Sequence, residues 1–139
     1  MITFCCLNLS PLSIAQILIA SLLAICFLQS GIDKIIDRKG NLAWLTGHFL
    51  NSPFKNIVPL LLMIITLLEL LGGFFCAIGV FYFLINGGMK LIFYGFIINS
   101  LTLVALFLGQ RLAKDYEGAA VLIGYFIITI IGILSFSFI

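Results

Sequence analysis

Residues 57–85 read IVPLLLMIITLLELLGGFFCAIGVFYFLI, an apolar run of 29 positions interrupted by one charged residue, Glu69. A hydrocarbon layer about 30 Å thick is crossed by roughly 20 helical residues at 1.5 Å rise each, so this run is long enough to span a bilayer. A helix pairs every backbone N–H and C=O within itself, which lipid demands of any segment it surrounds. The run therefore reads as a transmembrane helix.

Working outward, three more windows have the same character: about 12–32, 89–109 and 118–138. Ser10-Pro11 precedes the first, an N-cap residue followed by proline at the first helical position. Asn86-Gly87-Gly88 is a turn ahead of the third window, and Asp115 is a cap ahead of the fourth. Both of these connections are short, so consecutive helices are expected to pack antiparallel. The sequence predicts an all-α integral membrane four-helix bundle, built as one transmembrane domain over residues 1–139.

The composition agrees. Hydrophobic residues make up 63% of the chain and charged residues 9%, against about a quarter charged in soluble domains. A net charge of +2, carried by scattered residues, provides no basic footprint for nucleic acid. The bilayer is the expected partner, together with other membrane-protein subunits. Met1–Ser10 carries no Lys or Arg for a signal-peptide n-region, so the first apolar window is read as a retained helix. Cys5-Cys6, Cys26 and Cys76 form neither a C-x-x-C pair nor a Cys/His cluster, so no metal site and no disulfide relay is expected. The adjacent pair reads as an interfacial tail, and the other two as small packing residues.

The one long connection, 33–56, holds Asp33, Lys34, Asp37, Arg38, Lys39 and Lys55. Leu42, Leu45 and Phe49 recur there at helical spacing beside Trp44 and His48, predicting a short interfacial amphipathic helix over about 41–51 with Trp44 at headgroup depth. Ser52-Pro53 is a candidate cap for the next helix, in which Pro59 should kink the second turn or delay the regular start. Six basic residues (Lys34, Arg38, Lys39, Lys55, Arg111, Lys114) fall on one side of the bundle and only Lys90 on the other. The positive-inside bias then makes the six-residue side cytoplasmic and puts both termini outside.

Glu69 lies near the middle of its helix, where a charged side chain is costly and faces the bundle interior. Steps of three and four residues give an inward stripe of Thr66, Glu69, Gly73 and Cys76. The same steps give Gly95, Asn99, Thr102 and Gly109 on the third helix, and Tyr125, Thr129 and Gly132 on the fourth. Matching the helices by depth predicts a polar layer of Glu69, Thr66, Asn99 and Thr129, with Ala20 or Ser21 level with it on the first helix. Asn99 is the expected hydrogen-bond partner of Glu69, because no Lys or Arg is expected at that depth. Such an acid would be held neutral and act either as an interhelical clamp or as a proton or ligand site. A second cluster is expected at the cytoplasmic mouth: Gln29, Ser30, Gly31 and Lys34 with Gln110, Arg111 and Lys114, and with Trp44 and His48 as a lid. It would receive an anionic group or a quinone headgroup, or simply contact lipid headgroups.

Two stretches carry a resemblance. Phe27-Leu28-Gln29-Ser30-Gly31-Ile32-Asp33-Lys34, closing the first helix, and Leu68-Glu69-Leu70-Leu71-Gly72-Gly73, within the second, resemble the two signature regions of the DoxX family of small bacterial membrane proteins. The four-helix layout, the long first connection and Gly109-Gln110-Arg111 at the end of the third helix are similar as well. The resemblance implies a bacterial inner-membrane protein. It further implies either a subunit of the thiosulfate:quinone oxidoreductase type, with quinone as candidate cofactor, or an anchor for proteins that handle oxidative stress. The matching positions are Gly31, Lys34, Glu69 and Gly73, to which the family assigns no fixed role. Similar four-helix proteins reduce quinones through cysteine pairs, and this chain departs from them in having none.

No nucleophile, base and orienting group stand together in the sequence, so no reaction can be named from it. The expectation is a noncatalytic assembly or anchoring subunit. The alternative is a quinone-associated, redox-linked subunit using Glu69, and a weaker third reading is a small-solute or proton carrier.

Overall fold

Short side chains that cap helix ends set most of the boundaries in the computed structural model, which describes residues 2–4 and 7–138. Ser10 Oγ accepts from Ser13 N at 3.1 Å and starts α1, Pro11–Ile36. Asp37 ends α1 and also caps α2, Arg38–His48, its Oδ1 accepting from Gly40 N at 3.2 Å, so the chain turns within one residue. α3 runs Val58–Asn86 and stops at Gly87, whose φ of 78° is a left-handed conformation that glycine adopts without penalty. α4, Lys90–Leu112, is joined to α5, Tyr116–Ser135, by a tight turn with Lys114 at φ 62° and Asp115 Oδ1 accepting from Gly118 N at 2.9 Å.

The four long helices are long and apolar enough to cross a membrane, and α2 is the short helix between the first two. α1 runs four residues past its expected end at 32, because nothing breaks the helix before Asp37. α2 begins three residues earlier than expected for the same reason, since Asp37 is its cap. Pro59 delays the helix rather than kinking it: α3 starts at Val58, so the missing proline N–H falls among first-turn donors that have no helical partner. Ser52 caps a local turn instead, accepting from Phe54 N at 3.1 Å. The last turn expected of α5 tightens into a 3-10 turn over Phe136–Phe138.

Two short strands precede α1, β1 (Ile2–Phe4) and β2 (Leu7–Leu9), paired antiparallel with Ile2 opposite Leu9. Their pairing occupies backbone groups that a single extended segment beside lipid would leave bare. Cys5 and Cys6 lie outside the described residues.

Sequential long helices pack side by side, and glycines set how closely. Gly31 lies against Leu70 and Gly73 against Leu28, fixing α1 on α3. Gly79 meets Ile92 and Gly95 meets Cys76, fixing α3 on α4, while Gly132 on α5 meets Phe96. These are close approaches of the small-residue kind by which membrane helices associate without a hydrophobic driving force. Gln16 Nε2 donates to Ser135 Oγ at 2.8 Å, joining the first and last spans at the end of the bundle where both termini emerge. The core is Ala20, Leu23, Ala24 and Phe27 of α1 with Cys76 and Phe83 of α3 and Ile92, Phe96 and Leu103 of α4. Leu18, Ile25, Leu67, Phe81 and Leu101 point outward instead, an apolar exterior suited to acyl chains.

Candidate functional site: a buried ion pair and a cavity beneath α2

Glu69 projects from α3 into the α1 interface and is 2% exposed. Lys34, in the last turn of α1, places Nζ 3.0 Å from Glu69 Oε2 and 3.3 Å from Oε1, with hydrogen-bond geometry only to Oε1. Ser30 lies one turn back and joins the pair: Lys34 Nζ donates to Ser30 Oγ at 2.7 Å, and Ser30 Oγ donates to Glu69 Oε1 at 3.1 Å. The Ser30/Lys34 spacing of i, i+4 puts both on one helix face.

This overturns the expected partner. No cation was expected at the depth of Glu69, and Asn99 was to hold it. Instead Asn99 Nδ2 donates to Cys76 Sγ at 3.3 Å, and Asn99 Oδ1, packed against Gly72, has no hydrogen-bond partner among the described residues. The reason is register. Matching helices midpoint to midpoint put Ala20 or Ser21 level with Glu69, but the Gly31–Leu70 and Leu28–Gly73 contacts slide α1 so that its last turns face the middle of α3. Lys34 then stands about two residues, roughly 3 Å, along the axis from the level of Glu69, a gap its four-carbon stem bridges.

The predicted polar layer is buried but not connected. Thr66 Oγ1 donates to Leu62 O at 2.6 Å and Thr129 Oγ1 to Tyr125 O at 2.8 Å, each satisfied within its own helix. Thr66, Glu69, Gly73 and Cys76 do share the inward face of α3. Gly95, Asn99 and Thr102 do so on α4, whereas Tyr125 of α5 faces outward.

Beside the ion pair, α2 roofs a cavity of about 360 Å³ between the first turns of α3 and the last turns of α4. Lys34, Trp44, His48 and Gln110 all line it, over a wall that includes Phe49, Phe54, Leu62 and Leu106. Four residues of the expected mouth cluster are thus brought to one place. Gln29 is not among them, because its position on α1 faces outward. Nor is Arg111, whose guanidinium lies over the Tyr116 ring at 4.6 Å. Trp44 and His48 stack with centroids 4.5 Å apart and 18° between planes. His48 Nε2 lies 2.6 Å from Gln110 Oε1 and 3.7 Å from Asp115 Oδ2. The His48 ring edge therefore sits between the Gln110 amide and the Asp115 carboxylate. These contacts tie the roof helix to α4 and to the cap of α5.

Asp115 was legible in the sequence only as a helix cap, and its second role beside His48 required the fold. Asn41 and Phe54 also line the cavity and carried no signal beyond lying in the same connection. No family model, no curated protein and no solved structure matches this chain.

Proposed function

We propose that this protein is a DoxX-like, quinone-associated subunit of a redox-linked complex in a bacterial inner membrane, with the cavity beneath α2 as its ligand site. The observation that carries this reading is the convergence of Lys34, Trp44, His48 and Gln110 on one apolar cavity of about 360 Å³. Small-molecule sites run to roughly 300–1,000 Å³, apolar in the main with a few placed polar groups. A tryptophan stacked on an imidazole, with an amide beside them, suits a flat ring with oxygen substituents, and such residues could hold a quinone ring here while its tail lies in lipid. The basic residues near α2 support a cytoplasmic orientation for the cavity, with both termini outside. In this reading Glu69 acts through Lys34, fixing the ammonium in the cavity wall.

The test is extraction in mild detergent followed by native mass spectrometry and organic extraction of the purified protein. Co-purified quinone at near-stoichiometric amount is expected, falling on His48→Phe substitution. Protein that carries no quinone and takes none up from vesicles would overturn the reading.

A noncatalytic assembly role is the second reading, favoured by a different surface. Ala120 and Gly124 lie one turn apart on the exposed face of α5, and a methyl at Gly124 would meet nothing within 4 Å. A small-x-x-x-small face open to the membrane fits a neighbouring transmembrane helix. Partner subunits retained in the same extraction, and lost on Gly124→Leu substitution, would favour it.

A further inference from the structure

We infer that the groove between α4 and α5 is a site for one anionic phospholipid, with an acyl chain lying along the groove and the headgroup phosphate held by Arg111. The groove shares Leu122 alone with the lining of the cavity beneath α2, and the inference does not depend on what that cavity binds.

The groove is apolar and open to the membrane. It has a volume of about 270 Å³ and is lined by Leu103, Val104 and Phe107 of α4 and by Leu122, Ile123 and Phe126 of α5. Leu103 is buried, while Val104 and Ile123 are 53% and 46% exposed. Its lining side chains are bulky. Helices that associate in membranes approach through small residues, and the small pair of α5, Ala120 and Gly124, lies roughly a third of a turn around that helix from the groove. A gap between large side chains suits a flexible hydrocarbon chain better than a second helix.

A cation stands at one end of this groove. Arg111 follows Val104 by seven residues and Phe107 by four, so it lies on their face of α4, about 6 Å beyond Phe107 along the axis. Tyr116 precedes Ile123 by seven residues and shares its face of α5. The two helices are joined there, the Arg111 guanidinium lying 4.6 Å from the centroid of the Tyr116 ring. That contact supplies no oxygen acceptor, and no carboxylate lies within ion-pair reach of Arg111 among the described residues. A phosphate supplies both the charge and the acceptors, and a guanidinium grips it with two parallel hydrogen bonds.

The nearby acids do not compete for Arg111. Asp115 is engaged elsewhere, its Oδ1 accepting from Gly118 N at 2.9 Å and its Oδ2 lying 3.7 Å from His48 Nε2. Glu117 precedes Ile123 by six residues and Phe126 by nine, which at 3.6 residues per turn puts it on the side of α5 away from the groove. Lys114, exposed in the α4–α5 turn, adds a second positive charge beside Arg111. This end of the bundle carries six of the seven basic residues, a field that favours anionic headgroups. A zwitterionic headgroup brings its own ammonium, which competes with Arg111 for the phosphate.

The full-length protein is reconstituted in vesicles of equal parts phosphatidylglycerol and phosphatidylcholine with matched chains, extracted in mild detergent, and weighed with its retained lipid by native mass spectrometry. One retained lipid per chain is expected, with phosphatidylglycerol favoured by about fivefold, as one basic residue at a membrane surface allows. Arg111→Gln should bring the ratio close to even, whereas Lys39→Gln, which removes an equal charge from α2, should keep it. Val104→Phe fills the groove and should abolish retention of either lipid, while Leu101→Phe, on another exposed face of α4, should not. An even ratio in the unaltered protein, or an equal fall with Lys39→Gln, would overturn the inference in favour of general surface attraction. So would retention that Val104→Phe leaves untouched. A mass of two chains with no lipid would also overturn it, making the groove a contact between copies.

Discussion

Replacing Lys34 with methionine should destabilise the bundle more than any other single removal of a charge. The Glu69 side chain is 3% exposed and would lose the one cation it has among the described residues, keeping one hydrogen bond from Ser30. Removing one member of a buried pair typically costs about 3–5 kcal/mol, because the other charge stays behind uncompensated. The two partners are not equivalent. The Lys34 side chain is 17% exposed, so after Glu69→Gln its ammonium can extend along the end of α1 toward water. That substitution should cost less, about 1–2 kcal/mol. The double change Lys34→Met with Glu69→Leu restores an apolar contact and should return to within about 1 kcal/mol of the unaltered protein. The assay is unfolding in mixed micelles followed by circular dichroism, read as a double-mutant cycle with at least about 2 kcal/mol of coupling. Single substitutions that each cost under about 0.5 kcal/mol, and that simply add, would refute both the pair and the glycine-set register that creates it.

The helix contacts give a second comparison: Gly73→Ala would press a methyl 2.8 Å from Leu28 Cγ and 3.0 Å from its backbone N, while Gly124→Ala meets open space. Thermal melts should show a loss of about 1–3 kcal/mol for the first and none for the second. Asn99 and Glu69 have separate partners, so Asn99→Ala and Glu69→Gln should be additive within about 0.5 kcal/mol in the same micelle assay; stronger coupling would restore the clamp expected from the sequence. In a variant stripped of its native cysteines, a cysteine at Lys39 should react with a membrane-impermeant maleimide only after cells are permeabilised, and one at Asn86 should react in intact cells. The reverse pattern would invert the proposed topology.

Several features could be read residue by residue because their causes are local. Uncharged windows of about 20 residues identify the spans, since the cost of bare backbone and charge in lipid depends on composition alone. Ser10, Asp115 and Gly87 were legible as caps or turn residues, because capping involves neighbours within four positions. The inward face of α3, with Thr66, Glu69, Gly73 and Cys76, followed from helical periodicity. The roof helix was legible in kind, though displaced by three residues because the capping role of Asp37 went unread.

What the sequence by itself determined, then, was the number of spans, the sidedness of their charges and the one acid facing inward. The tertiary structure decided what that acid touches. Periodicity assigns a residue to a face but leaves the axial offset between two helices free, and Lys34 could be counted equally as a surface charge or as a partner. The offset is set where Gly31 admits Leu70 and Gly73 admits Leu28, contacts between residues about 40 positions apart or more. That slide brings Lys34 to Glu69, leaves Asn99 to Cys76, and puts α2 as a roof over a cavity that no single stretch of the chain encodes.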